Sequence, residues 1–163
     1  MTIKKLVLGD LYTNCYILEK EGYQLLIDPA AEYEIIKEHL TNLVGILITH
    51  YHFDHIGALN ELKDDYNVSI YDYKTLGNQV QDNFKFEVIS TKGHHDTCVC
   101  FKFDDIIFDG DFIFENGIGR TDLETGNDLL MEQSLLNFKK YNNTHMYPGH
   151  GNDFILDIKD YII

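Results

Sequence analysis

Basic residues are scarce in this chain. Lysine and arginine together number 13 against 27 aspartates and glutamates, a formal net charge of −14 over 163 residues. Phosphate binding needs clustered Lys and Arg, so this balance argues against a nucleic-acid partner. Long apolar runs are missing as well. No stretch approaches the length of a membrane span, and Met1 to Lys5 lack the apolar core of a secretory signal. The expectation is a cytoplasmic protein that acts on a small-molecule substrate, with no membrane and no nucleic-acid partner and an unknown oligomeric state. Cysteines number three, Cys15, Cys98 and Cys100, an odd count without a C-x-x-C pair. They read as small buried thiols in a reducing compartment, with a metal or redox role for Cys98 and Cys100 as the minor alternative. What the chain does have is a hydrophobic content of 44%, spread in alternating segments. That composition and length predict one soluble globular domain over residues 1–163.

Histidine is concentrated. Three of the eight fall within the six residues His50 to His55, with Asp54 among them. The apolar run Val44 to Ile48 leads in and reads as a buried strand, and Ile56 to Leu59 leads out into a helical pattern. Side chains two apart on an extended chain point the same way, so His50 and His52 can converge on one point. Asp54 and His55 come where the chain turns and can face a second point nearby. Imidazole with carboxylate suits zinc, iron or manganese rather than a soft thiolate site.

The remaining chain supplies a framework of short elements. Lys4–Leu8, Asn14–Glu19 and Tyr23–Ile27 read as antiparallel strands, and Asp28-Pro29 ends the third. Glu32–Leu40 has helical periodicity, Val68–Tyr71 and Phe84–Ser90 are strand-like, and Lys74–Asn83 is too polar to assign. His39 reads as solvated. Gly93 precedes His94 and His95 at the end of a strand, where a glycine permits close approach or an unusual dihedral. Thr97–Phe103 and Asp105–Phe108 form a hairpin that runs into Asp109-Gly110-Asp111. Arg120 is the only arginine, and a planar fork is hard to replace where a carboxylate is held twice. An internal ion pair, with Asp122 as its partner, is the favoured reading, and a substrate contact the other. Asp128–Tyr141 reads as an amphipathic helix and Thr144–Tyr147 as a strand, with His145 structural. Pro148 follows, and His150 lies between two glycines. Phe154 to Ile163 is expected to pack on the body. The only prolines, Pro29 and Pro148, flank the candidate loops, where a fixed φ suits a defined geometry.

Thr49-His50-Tyr51-His52-Phe53-Asp54-His55 resembles the H-x-H-x-D-H signature of the metallo-β-lactamase superfamily. Ile27-Asp28-Pro29 resembles the first motif of that family, whose aspartate supports the metal-binding loop without binding metal. Thr91 to Thr97 resembles T-P-G-H-T, with His94 at the histidine and with Lys92 and His95 departing from the pattern. Phe108 to Phe114 resembles F-x-G-D-x-L/I-F, with Asp111 at the aspartate and Asp109 structural. Gly117 to Leu123 resembles G-x-G-R-T-D, which points to glyoxalase II-like hydrolases and the related persulfide dioxygenases. Pro148 to Gly151 resembles P-G-H-G.

The resemblance implies an α/β (α+β) fold, a four-layer αββα sandwich with its site at one edge between the sheets. It implies two divalent metal ions, zinc first with iron or manganese as alternatives. One ion would take His50, His52 and His94, the other Asp54, His55 and His150, with Asp111 bridging. Asp28, Arg120 and Asp122 would support the site or touch substrate. The implied activity is hydrolysis of a thioester by attack of a metal-bound hydroxide on its carbonyl, with Asp54 and Asp111 as catalytic residues. The alternatives are a mononuclear iron sulfur oxygenase of the persulfide dioxygenase type and a lactone or ester hydrolase. Glyoxalase II proper adds a C-terminal helical domain for glutathione. The residues after His150 offer no counterpart, so acylglutathiones are expected to be inefficient substrates.

Overall fold

The computed structural model describes residues 1–162. β1 (Thr2–Leu8), β2 (Thr13–Lys20) and β3 (Tyr23–Ile27) form an antiparallel meander, as their alternating apolar residues predict. β4 (Leu43–Leu47) and β5 (Ser69–Tyr71) then add in parallel. Parallel neighbours need crossovers. These are α1 (Tyr33–Lys37) and α2 (Leu59–Asp65), which lie against the outer face of the sheet. The second half runs β6 (Gly77–Gln81), β7 (Phe84–Ser90), β8 (Val99–Phe103) and β9 (Ile106–Gly110) as an antiparallel series. A small hairpin of β10 (Ile113–Phe114) and β11 (Gly117–Ile118) follows. α3 (Asp128–Phe138) then crosses to β12 (His145–Pro148), parallel to β9, and β13 (Phe154–Ile155) pairs on its far side. Among the described residues the sheets have the orders β1-β2-β3-β4-β5 and β13-β12-β9-β8-β7-β6.

The period of two along each strand sorts side chains into layers. Tyr16 and Leu18 of β2, with Leu25 and Ile27 of β3, meet Phe86, Phe101, Phe103 and Phe108 of the opposing sheet. The aromatic edges interlock there, Tyr16 against Phe108 with centroids 5.0 Å apart. The alternate residues Cys15, Ile17 and Leu26 face α1 and α2. On the other side Cys100, Ile107 and Met146 face Met131, Leu135 and Phe138 of α3. Each sheet is therefore covered on both faces, which gives the four layers α, β, β, α.

Some boundaries differ from the sequence reading. The helix expected over Glu32–Leu40 is confined to Tyr33–Lys37, because Glu32 takes a left-handed conformation (φ 55°). The amides of His39 and Leu40 bond three residues back, to Ile36 and Lys37, tightening the exit. The helix expected to run to Tyr141 ends at Phe138 and continues as a 3-10 turn, Lys139–Tyr141. The polar stretch Lys74–Asn83 contains β6, an edge strand that packs through one face. In the tail, Leu156 and Ile158 are buried, and residue 163 lies outside the described residues.

Candidate metal centre

The C-terminal ends of β4, β9 and β12 open onto one edge of the sandwich, and the loop between β7 and β8 reaches the same place. β4 releases the chain into a loop whose 3-10 turn, Phe53–His55, presents Asp54 and His55. The β7–β8 loop brings His94, β9 leads to Asp111 and β12 to His150. The two sheets are tied here by an isolated bridge between Thr13 and His150. The chain geometry leaves no room for a side chain at Gly149, where a Cβ would collide with Asp111 Oδ1 and His55 Cε1.

The donor atoms converge in three overlapping groups: His50, His52, His94; His50, His55, Asp111; and Asp54, His55, His150. Within each group the atoms lie within 4.8 Å of one another. His52 Nδ1 is 3.0 Å from His50 Nε2 and 2.9 Å from His94 Nε2. Asp54 Oδ2 is 3.4 Å from His55 Nε2 and 3.3 Å from His150 Nε2. Asp111 stands between the two sets. Its Oδ2 is 3.5 Å from both His94 Nε2 and His150 Nε2, and its Oδ1 is 3.3 Å from His55 Nε2.

The other side of four of the five rings explains their orientation. His94 Nδ1 donates to the Arg120 carbonyl (2.7 Å) and His150 Nδ1 to the Leu11 carbonyl (3.1 Å). His55 Nδ1 meets Asp28 Oδ2 at 2.8 Å. Asp28 also accepts from the Thr49 amide (2.8 Å) and hydroxyl (2.6 Å), and that hydroxyl is 3.1 Å from His50 Nδ1. A neutral ring whose outer nitrogen carries the proton would turn a lone pair toward a bound cation, the tautomer that ligation requires. His55 Nε2 and Asp111 Oδ1 are buried and have no hydrogen-bond partner among the described residues. Buried polar atoms are rarely left so. An N and O donor set with two orphaned atoms fits divalent zinc, iron or manganese.

Charge is divided across the cluster. Burial and the like charge of His55 hold His50 well below the usual imidazole range, and burial with His94 beside it brings His52 down to about 4. Burial also lowers His94. Burial would likewise lower His55 and His150, but carboxylates outweigh it: Asp111 and Asp28 lift His55 well above its usual range, and Asp111 and Asp54 lift His150 to about 9. Burial would raise Asp111, yet the His55 charge and the closeness of the His150 and His55 rings hold it well below the carboxylate range. Asp111 is therefore ionised at neutral pH, and the first histidine triad is neutral.

Arg120 differs from the reading as an internal ion-pair member. It pairs with Asp122 through Nε and Nη2, both at 3.0 Å, but the two side chains are 67% and 69% exposed. An exposed pair adds little to stability. The backbone of Arg120 matters more, since its carbonyl aligns His94, and the residue borders the pocket over the cluster. His95 stays outside the converging donors, its Nδ1 engaged by Thr97 Oγ1 (2.8 Å) and Asp96 (3.1 Å). His39 lies beside Lys4 and His145 pairs with Asp153, both away from the cluster. Asp109 is buried and accepts from the Ile113 amide. The three cysteines are buried and free, with burial pushing each thiol up, which suits inert thiols.

Several contributors carry no motif of their own. Thr13 Oγ1 donates to Asp54 Oδ2 (2.8 Å). Tyr16 Oη and Asn14 Nδ2 both donate to the Pro148 carbonyl (2.7 and 2.9 Å), and Asn14 Nδ2 also reaches the Gly151 carbonyl (3.0 Å). β2 thus clamps the loop that bears His150. Thr13-Asn14 opening an apolar strand was the available signal.

Comparison with known proteins places these features. Residues 8–79 match the family model described as the metallo-beta-lactamase superfamily. A hydroxyacylglutathione hydrolase of Francisella tularensis subsp. novicida is 32% identical, the alignment covering 97% of this chain and 73% of the relative. The structure of TTHA1623 in a di-iron-bound form, 25% identical, superposes with a TM-score of 0.84 over 96% of both chains. ETHE1 from Myxococcus xanthus, 26% identical, gives a TM-score of 0.82 over 93% of this chain and 76% of that one.

Proposed function

The chain belongs to the metallo-β-lactamase superfamily, and from that premise we propose that it is a dinuclear metallo-hydrolase whose substrate is a thioester. The observation that carries this reading is the position of Asp111 between two complete triads, within 3.5 Å of His94 on one side and of His150 on the other. When bound, two divalent cations would supply Lewis acidity, making a water acidic near neutral pH and polarising a carbonyl. The protein's own groups do the rest. Asp54, fixed by Thr13, borders the pocket and can accept a proton-bearing partner, so it orients the nucleophile. Asp28, Thr49 and the carbonyls of Leu11 and Arg120 keep the histidine rings aimed inward.

The pocket over the cluster, about 280 Å³, is lined by no lysine or tyrosine among the described residues. No such proton donor waits for the leaving group. A thiol, with a pKa near 8.5, departs as its anion more readily than an alcohol or amine, so a thioester suits this site. The hydroxyacylglutathione hydrolase relative points the same way. Iron is as compatible with the donor set as zinc, and the likeness to a di-iron protein supports it.

A second reading, a mononuclear iron sulfur oxygenase, is favoured by the likeness to ETHE1. Such sites use two histidines and one carboxylate and leave open positions for oxygen. A panel of a thioester, a lactone, a β-lactam and a persulfide, run on metal-quantified protein, separates the readings. The thioester should give the highest kcat/KM. Persulfide turnover that consumes oxygen, without thioester hydrolysis, would establish the second reading instead. Turnover of the lactone or β-lactam alone would leave a hydrolase with a different substrate.

A further inference from the structure

Phe53 lies between two candidate ligands, His52 and Asp54, yet is 75% exposed. Burying an aromatic ring is among the larger stabilising contributions open to a fold, and here the 3-10 turn holds the ring in solvent. It is not alone. Leu11, Ile118 and Leu123 are exposed around the same opening. An apolar patch at the mouth of a polar cluster marks a binding surface rather than a folding device.

Two cavities meet at this ring. One, about 280 Å³, reaches His52, His94 and Asp111 and is walled by Phe114, Ile118 and Leu123. The other, about 340 Å³, lies over Leu8, Ala30 and Ala31 and carries Asp10 and Glu32. They share Leu11, Phe53 and Asp54, so Phe53 stands as a partition beside the reacting centre. A thioester presents two halves on either side of its carbonyl, and this division matches that shape. Both cavities are near the small end for ligand sites, roughly 300–1,000 Å³. Charge narrows the choice further. No lysine lines either cavity among the described residues, and the one arginine, Arg120, is already paired with Asp122. A carboxylate on the thiol half would meet Asp10 and Glu32 in the second cavity, and one on the acyl half would be desolvated against Phe114, Ile118 and Leu123.

Building on the thioester reading, we infer that the site takes a compact thioester whose acyl group is uncharged and apolar and lies against Phe53, Ile118 and Leu123. Acyl groups or thiols that carry carboxylates are discriminated against. The pocket, not the metal cluster, sets this preference.

The test is a series of N-acetylcysteamine thioesters with acetyl, butyryl, hexanoyl and succinyl groups, assayed on the metal-loaded full chain. From acetyl to butyryl kcat/KM should rise about fourfold per methylene, the value expected for burying each CH2, and then level off as the cavity fills. Succinyl, with the butyryl backbone plus a charge, should fall below butyryl. Phe53→Ser and Leu123→Ser should flatten the dependence on chain length. Metal content is measured on both variants. Should Phe53→Ser lose metal, Leu123→Ser, which lies outside the ligand turn, decides the question. Turnover without chain-length dependence, or a preference for succinyl, would overturn the inference and leave the thioesterase reading standing. Failure to hydrolyse any member would overturn that reading and the inference with it.

Discussion

Asp111→Asn should lower turnover by well over about 100-fold and reduce the bound metal. Loss of a group that merely supports a metal ligand costs about 10–100-fold in affinity or activity, and a donor shared between two cations should cost more. The geometry gives the reason. Asp111 offers Oδ2 at 3.5 Å from His94 Nε2 and from His150 Nε2, and Oδ1 at 3.3 Å from His55 Nε2. Asparagine replaces one of these oxygens with an NH2 group, which has no lone pair for a cation. It also removes the negative charge that would screen two cations from each other. The substitution is nearly isosteric, so the sandwich core between the sheets should remain intact. Two retained metals with undiminished turnover would show that Asp111 is not shared between the triads.

A comparably large effect should separate two adjacent histidines. His94→Ala removes Nε2 from a point 2.9 Å from His52 Nδ1 and 3.5 Å from Asp111 Oδ2, so metal content and most activity should go with it. His95→Ala should leave metal content near that of the parent. The His95 ring packs edge-on to His52, with centroids 4.7 Å apart, but its Nδ1 is turned to Thr97 and Asp96. Parallel metal analysis and thioester turnover on the two variants check this. Metal loss that follows His95 would move the ligand by one residue and break the first triad as described.

Much of this centre was legible because its chemistry is written locally. His50, His52, Asp54 and His55 occupy one strand end and the turn after it, where a period of two followed by a tight turn brings their donors to neighbouring points. His94, Asp111 and His150 are each marked by an adjacent glycine. The structure supplies the reason at Gly149, where a Cβ would strike Asp111 and His55, and at Gly110, where φ is +55° and a Cβ would strike Thr49. The outer supports were not legible. Thr13 reaches Asp54 across 41 positions, and Tyr16 reaches the Pro148 carbonyl across 132. Contacts that distant exist only once the two sheets have packed, and the Thr13-Asn14 opening of β2 marks the strand but not what its side chains reach. The pair Arg120 and Asp122 was legible as a pair but not as a surface one, because two residues in a loop carry no periodicity from which burial can be read. The strand Gly77–Gln81 was missed for a related reason. Its apolar content is low, and it is held by pairing with Phe84–Ser90 on one side.

Two triads that share Asp111 should hold two cations and serve hydrolysis. The most direct measurement is the number of metal equivalents per chain after anaerobic purification, taken with oxygen uptake during turnover. About two divalent ions per chain are expected, with thioester hydrolysis that consumes no oxygen. One iron per chain, with oxygen consumed in step with substrate, would contradict that expectation.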